Sequence, residues 1–230
     1  MAADGADAIL RSPRVAPSIL SADFACLGEQ VAKVMEAGAR IIHVDVMDGH
    51  FVPPITIGPL IVDALRDQVH DAGGLLEVHL MIERPERQVE PFAEAGADVI
   101  IVQPEATPNL HFTLQAIEKA GARAGAAINP GTPPEVLTEV AEMLEMALCM
   151  TVNPGWGGQP FIEHSLAKIE RLRELLGDGV AIEVDGGVDA ETAGACAKAG
   201  ATRFVAGSAI FGKDDLAEAY RGIAEAAGAE

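Results

Sequence analysis

The chain has 230 residues, 49% apolar and 22% charged, which is ample for one core and modest for two domains. With 16 Lys and Arg against 35 Asp and Glu, a formal charge of −19 makes nucleic acid and anionic membrane poor partners. No run of about 18 apolar residues is present and MAADGADAILRSPR lacks the apolar stretch of a signal peptide, so no membrane span and a cytoplasmic location are expected.

Residues 1–13 read as a flexible N-terminal extension and 14–230 as a single catalytic domain. Strands are expected at Val15–Ile19, Ile41–Met47, Leu75–Met81, Asp98–Gln103, Ala124–Asn129, Ala147–Asn153, Ala181–Asp185 and Arg203–Ala206, each an apolar run that ends at Gly, Pro or a polar loop. An Ala-Gly-Ala phrase recurs at 37–39, 95–97, 120–122 and 199–201, each time just before a strand, and marks a helix stop. Helices are expected after Thr132, where Val136, Val140, Leu144 and Leu148 form an apolar stripe facing the strands, and after Asp189. Eight strands alternating with amphipathic segments predict an α/β fold of the (β/α)8 TIM barrel type. A doubly wound open sheet is the competing architecture, but no G-x-G-x-x-G opens a helix after the first strand. Cys26, Cys149 and Cys196 are far apart, without a C-x-x-C pair, and read as small buried hydrophobes.

The chemistry-bearing residues fall at strand ends. His43 and Asp45 in IIHVDVMDG lie two apart on one strand and so face the same way; His79 in LLEVHLM and Asp185 in VAIEVDGG end two others. In a barrel these ends form the active-site face, so the four predict one divalent cation site. Three glycine-bearing loops follow late strands: Asn153 to Gln159, with Gly155, Trp156, Gly157 and Gly158; Asp185-Gly186-Gly187; and Ala206 to Ala209, with Gly207 and Ser208. Together they read as a phosphate cradle, because glycine lets backbone N–H groups approach an anion closely. A cation beside a sugar phosphate favours deprotonation of the carbon next to a ketone, and Asp45 and Asp185, on different strands, can address opposite faces of that carbon. Met47, Met81 and Met150 read either as an apolar wall around the enediolate or as ordinary core. His50, His70, His111 and His164 read as surface or packing residues.

At these residues the chain resembles the ribulose-phosphate 3-epimerase family from about Val15 to Gly222. Seven collinear motifs carry the resemblance: APSILSADF, HVDVMDGHFVP, TIGP, VHLM, NPGWGGQPF, EVDGGV and VAGSAIF. It implies interconversion of D-ribulose 5-phosphate and D-xylulose 5-phosphate with one divalent ion, Zn, Fe, Mn or Co, held by His43, Asp45, His79 and Asp185. It further implies Asp45 as proton acceptor and Asp185 as donor, Ser18 and His79 against the sugar, the glycine loops and Ser208 on the phosphate, and NPGWGGQ as a mobile lid. A dimer or hexamer is implied as well. Gln103, Pro54, Asn109, Phe112 and Trp156 depart from the pattern; Gln103 stands where the family usually has histidine. Gln103 and Pro54 keep open epimerisation of a six-carbon ketose phosphate such as D-allulose 6-phosphate. A decarboxylase or aldolase barrel would need a strand lysine, and none is present. A sugar-phosphate sensor would have no use for the second aspartate.

Overall fold

A computed structural model describes residues 3–229. Its strands are β1 (Arg14–Pro17), β2 (Ile41–Met47), β3 (Leu75–Met81), β4 (Val99–Val102), β5 (Arg123–Ile128), β6 (Met146–Met150), β7 (Ala181–Asp185) and β8 (Arg203–Ala206). All are parallel, in the order β1-β8-β7-β6-β5-β4-β3-β2, and a parallel bridge between Ser18 and His43 brings β1 against β2. Around them run α1 (Ala3–Arg11), α2 (Leu27–Ala37), α3 (Pro59–Asp71), α4 (Val89–Ala95), α5 (Leu110–Lys119), α6 (Ser165–Leu176), α7 (Ala193–Lys198), α8 (Ser208–Phe211) and α9 (Leu216–Ala227). This is the single (β/α)8 barrel that the alternation predicts.

The helix stops have a common physical basis. Gly38, Gly96, Gly121 and Gly200 all have positive φ, and the alanine after each donates to the carbonyl five residues back: Ala39 to Val34, Ala97 to Phe92, Ala122 to Ile117 and Ala201 to Cys196. Those bonds satisfy carbonyls that a helix end leaves free, and the left-handed backbone they need is one glycine reaches without a Cβ clash. Each reversal returns the chain to the start of a strand.

Along the strands alternate residues divide between two cores. Ile42, Val44, Val46, Leu76, Val78 and Leu80 pack outward under the helices, whereas Ile41, Leu75, Val99, Ile101, Met146, Leu148 and Val205 fill the barrel axis. The segment read as a flexible extension carries α1, whose Ile9 and Leu10 are 7% and 3% exposed and join the axial cluster at the amino-terminal mouth. Burial of each is worth roughly 2 kcal/mol, which offsets part of the entropy lost in ordering this short segment.

Three local expectations change. The stretch after Thr132 is a 3-10 helix, Pro134–Met143, with three residues per turn, so Pro134, Leu137 and Val140 face inward while Val136 is exposed; Leu148 belongs to β6. Strand β6 ends at Met150 rather than Asn153, because the chain turns there toward Pro154 and Gly155. Cys26 is half-buried, on the turn before α2, whereas Cys149 and Cys196 are buried as expected.

Candidate active site

Register brings the chemistry together at the carboxyl ends of the strands. In the β2–β3 pair Asp45 lies opposite His79, and His43 lies opposite Glu77. Asp185 closes β7 beside Met150 of β6. Ligand atoms of His43, Asp45, His79 and Asp185 all fall within 4.8 Å of one another. Asp45 Oδ1 is 3.4 Å from His43 Nε2 and 3.5 Å from His79 Nδ1, and His79 Nδ1 is 3.8 Å from Asp185 Oδ2. His43 Nε2, Asp45 Oδ1 and His79 Nδ1 are buried atoms with no hydrogen-bond partner. Three orphaned donor atoms aimed at one point are costly unless something binds there, and two imidazoles with two carboxylates suit a borderline divalent ion. The four residues fit a metal.

Neighbouring side chains fix these groups. Glu77 Oε1 accepts from His43 Nδ1 at 2.8 Å, which leaves the Nε2 lone pair for the cluster. Ser18 Oγ donates to Asp45 Oδ2 at 2.5 Å. Gln103, fully buried, sets its amide 3.3 Å from His79 Nε2.

Electrostatics drive the two aspartates apart. Burial alone would raise Asp45, but the adjacent His43 and His79 rings outweigh it and hold this carboxyl well below the usual range. Asp185 is pushed up to about 7 by burial and then by the charge of Asp45, with His43 opposing. For His43, burial opposes protonation, yet Asp45 and Glu77 raise the ring well above its ordinary value; burial lowers His79.

A cleft of about 560 Å³, counted to its open mouth, rises above this cluster. Ser18, Asp45, Asp185, Met47, Met81 and Met150 line its depth, and Gly155, Trp156, Gly157, Gly158, Gly186, Gly187, Gly207 and Ser208 its rim. His43 and His79 are fully buried behind Asp45. No lysine or arginine lines the cleft among the described residues, so an anion held here depends on backbone N–H groups, hydroxyls and a cation. Gln159 Nε2 donates to the carbonyls of Asn153 and Trp156 and ties the loop after β6 into one unit.

Two further departures lie at the start of α5. Asn109 caps α5, its Oδ1 accepting from Phe112 N at 3.1 Å, and Phe112 is exposed. His50, His111 and His164 are exposed, and His70 pairs with Asp98 at 2.8 Å.

Sequence reasoning missed the layer beneath the cluster: Glu77, Glu183 and Arg203, all with no exposed surface. Glu77 and Glu183 sit two residues before His79 and Asp185 and therefore on the same inward face. A charge at an inward position of an apolar strand is the signal that would have found them. Burial opposes ionisation of Glu77, but His43 and Glu183 lower it, whereas burial and then the Glu77 charge push Glu183 well above the usual carboxyl range.

A profile of the Ribulose-phosphate 3 epimerase family matches residues 14–211. The ribulose-phosphate 3-epimerase of Bacillus subtilis (strain 168) is 51% identical over 214 residues, 91% of this chain and 97% of that protein. The chloroplastic ribulose-5-phosphate-3-epimerase of Arabidopsis thaliana is 53% identical over 91% of this chain and 75% of that one. Among solved structures, KGPDC from Streptococcus mutans superposes with a TM-score of 0.74 over 94% of this chain and 97% of that chain, at 17% identity, a likeness of fold alone. With its motifs in register around one cleft, the chain belongs to the ribulose-phosphate 3-epimerase family and is an enzyme of that kind.

Proposed function

We propose that Asp45 and Asp185 interconvert D-ribulose 5-phosphate and D-xylulose 5-phosphate by exchanging the proton on carbon 3 from opposite faces. The observation that carries this reading is the meeting of two carboxylates from β2 and β7 at one cleft floor, within 4.8 Å of two buried imidazoles. Asp45 is the stronger acid and stands ionised, with one oxygen held by Ser18, so it accepts the proton. Asp185, on the opposite side of the cleft floor and the more readily protonated of the two carboxyls in the metal-free site, returns one to the other face. In the reverse direction the roles exchange.

His43, Asp45, His79 and Asp185 would hold one divalent ion, with Zn, Fe, Mn and Co all suited to the donor set. Bound there, such an ion supplies Lewis-acid stabilisation of the negative charge that develops on the sugar oxygens as the carbon loses its proton. Met47, Met81 and Met150 form the apolar side of the cleft floor and limit water around the enediolate. The phosphate is held at the rim by backbone N–H groups of the loops after β6, β7 and β8, with Ser208 opening α8. Gln103 lies behind His79 and does not line the cleft, so it gives no ground for preferring a six-carbon substrate. The substrate is thus a small sugar phosphate, and self-association as a dimer or hexamer belongs to the same family reading.

The test is proton NMR of metal-loaded protein in D2O with D-ribulose 5-phosphate and, in parallel, D-allulose 6-phosphate. Xylulose 5-phosphate with deuterium at carbon 3 is the expected result; turnover of the hexose alone would transfer the reading to the six-carbon substrate. Asp45→Asn and Asp185→Asn should each lower turnover by at least about 100-fold. Wild-type turnover in either would remove that residue from its role.

A further inference from the structure

The buried layer beneath the cleft connects to the far end of the barrel. Ligand atoms of His43, Glu77 and Glu183 lie within 4.8 Å of one another, and Arg203 is the register partner of Glu183 across the β7–β8 pair. Arg203 Nε and Nη1 and both Glu183 oxygens have no hydrogen-bond partner, so this buried guanidinium acts on the two glutamates through its charge rather than through contact. From that layer Arg203 Nη2 donates to the carbonyl of Leu10 at 2.5 Å. Leu10 lies in the last turn of α1, where carbonyls lack helical partners and carry partial negative charge, a suitable seat for a guanidinium. Two further attachments hold the helix: Ile9 and Leu10 are buried in the axial cluster, and Asp7 pairs with Arg123. All of α1 precedes residue 14, where the family match begins.

We propose that α1 is the floor of this barrel and a positioning element for the cation site, acting through Arg203, the Glu183 and Glu77 carboxyls, and His43. This rests on the reading of His43 as a metal ligand. A buried guanidinium stays in place only while its counter-charges and hydrogen bonds do. With α1 docked, the Leu10 carbonyl anchors Arg203 from below, and the glutamates find their compensating charge inside the barrel. Glu77 is then fixed where it takes the Nδ1 proton of His43 and leaves Nε2 free for the ion. Undocking α1 opens the mouth to water, so Arg203 and the glutamates become hydrated and the imidazole loses its single orientation.

The experiment uses the full-length chain and two readouts that do not depend on turnover: Co2+ affinity by chelator competition, and the NMR signal of the His43 Nδ1 proton, held by Glu77, in metal-free protein. The variants are the Ile9→Glu, Leu10→Glu pair, which undocks the helix, Arg203→Met, and all three together. Undocking and Arg203→Met should each weaken Co2+ binding by about tenfold and broaden the His43 Nδ1 proton signal as its bond to Glu77 loosens. The combined variant should be no weaker than the more severe of the two, because both act through the placement of one guanidinium. Arg203→Lys should recover part of the affinity. Wild-type Co2+ affinity in Arg203→Met, or losses that simply add, would reduce α1 to a stabilising cap and overturn the proposal. Should the undocked chain fail to fold, Arg203→Met against Arg203→Lys still decides: equal affinities in both overturn it, and recovery in the lysine variant upholds it. Wild-type protein that binds no Co2+ at all would instead remove the metal reading itself.

Discussion

Gln103 illustrates how one buried amide decides what an imidazole can do. Its Nε2 faces His79 Nε2 while its own Oε1 has no partner, and His79 Nδ1 is orphaned on the other side of the ring. Turning the amide over gives Oε1 the Nε2 proton and leaves the Nδ1 lone pair toward Asp45 and Asp185; amide orientations are assigned from such networks. Gln103→Leu, similar in bulk but without a hydrogen bond, should therefore weaken divalent-ion affinity by about tenfold, measured by chelator competition, and unchanged affinity would remove Gln103 from this role. Asp185 carries a separate consequence for the metal-free protein. Its folded pKa of about 7 lies above the ordinary 3.8, so the fold holds the proton more tightly than the unfolded chain does, and the stability this gives is present below pH 4 and lost as pH rises to about 7. The melting temperature of metal-free wild type should accordingly fall across that window more than that of Asp185→Asn, and parallel curves would contradict the shift. The four ligand candidates were legible because Asp45, His79 and Asp185 lie in the carboxyl-terminal halves of their strands and His43 shares a face with Asp45, whereas Glu77 and Glu183 sit mid-strand and Arg203 opens β8, where only the inward parity of their positions marks them.

At the scale of elements, the loop after β7 tolerates little change. Gly186 has φ of 116°, a methyl there would overlap the Val152 side chain, and one at Gly187 would lie 2.8 Å from the Phe161 backbone nitrogen. Gly186→Ala should destabilise the fold by about 2 kcal/mol or more and displace Asp185 beside it; a melting curve and a KM-against-kcat comparison would check both effects. Strands β2, β3, β7 and β8 were readable to the residue from sequence, since β-branched runs with sharp Gly or polar ends leave little freedom. The Pro134–Met143 segment was not, because a spacing of four between Val136 and Val140 and a spacing of three between Leu137 and Val140 coexist there, and only packing selects the tighter helix. Helix α1 escaped for another reason: its two buried residues are too few to form a periodic stripe, and their partners are contributed by strands far along the chain.

The whole molecule carries −19 and yet is expected to take up an anion, with no basic side chain lining the cleft. Long-range repulsion between like charges is screened within about 8 Å at physiological salt, so KM for a sugar phosphate should fall as salt is raised from very low levels. A flat or rising KM over that series would mean that the acidic helix faces exert no field at the cleft. The chain also has a single tryptophan, and the fold sets it half-exposed on the cleft rim rather than in the core. Indole emission from this protein therefore has one source, and that source stands on the rim of the cleft. Any ligand that draws the rim inward would move the ring from water to an apolar wall and shift its emission toward the blue, so the native chain is its own optical reporter of binding, with no label attached.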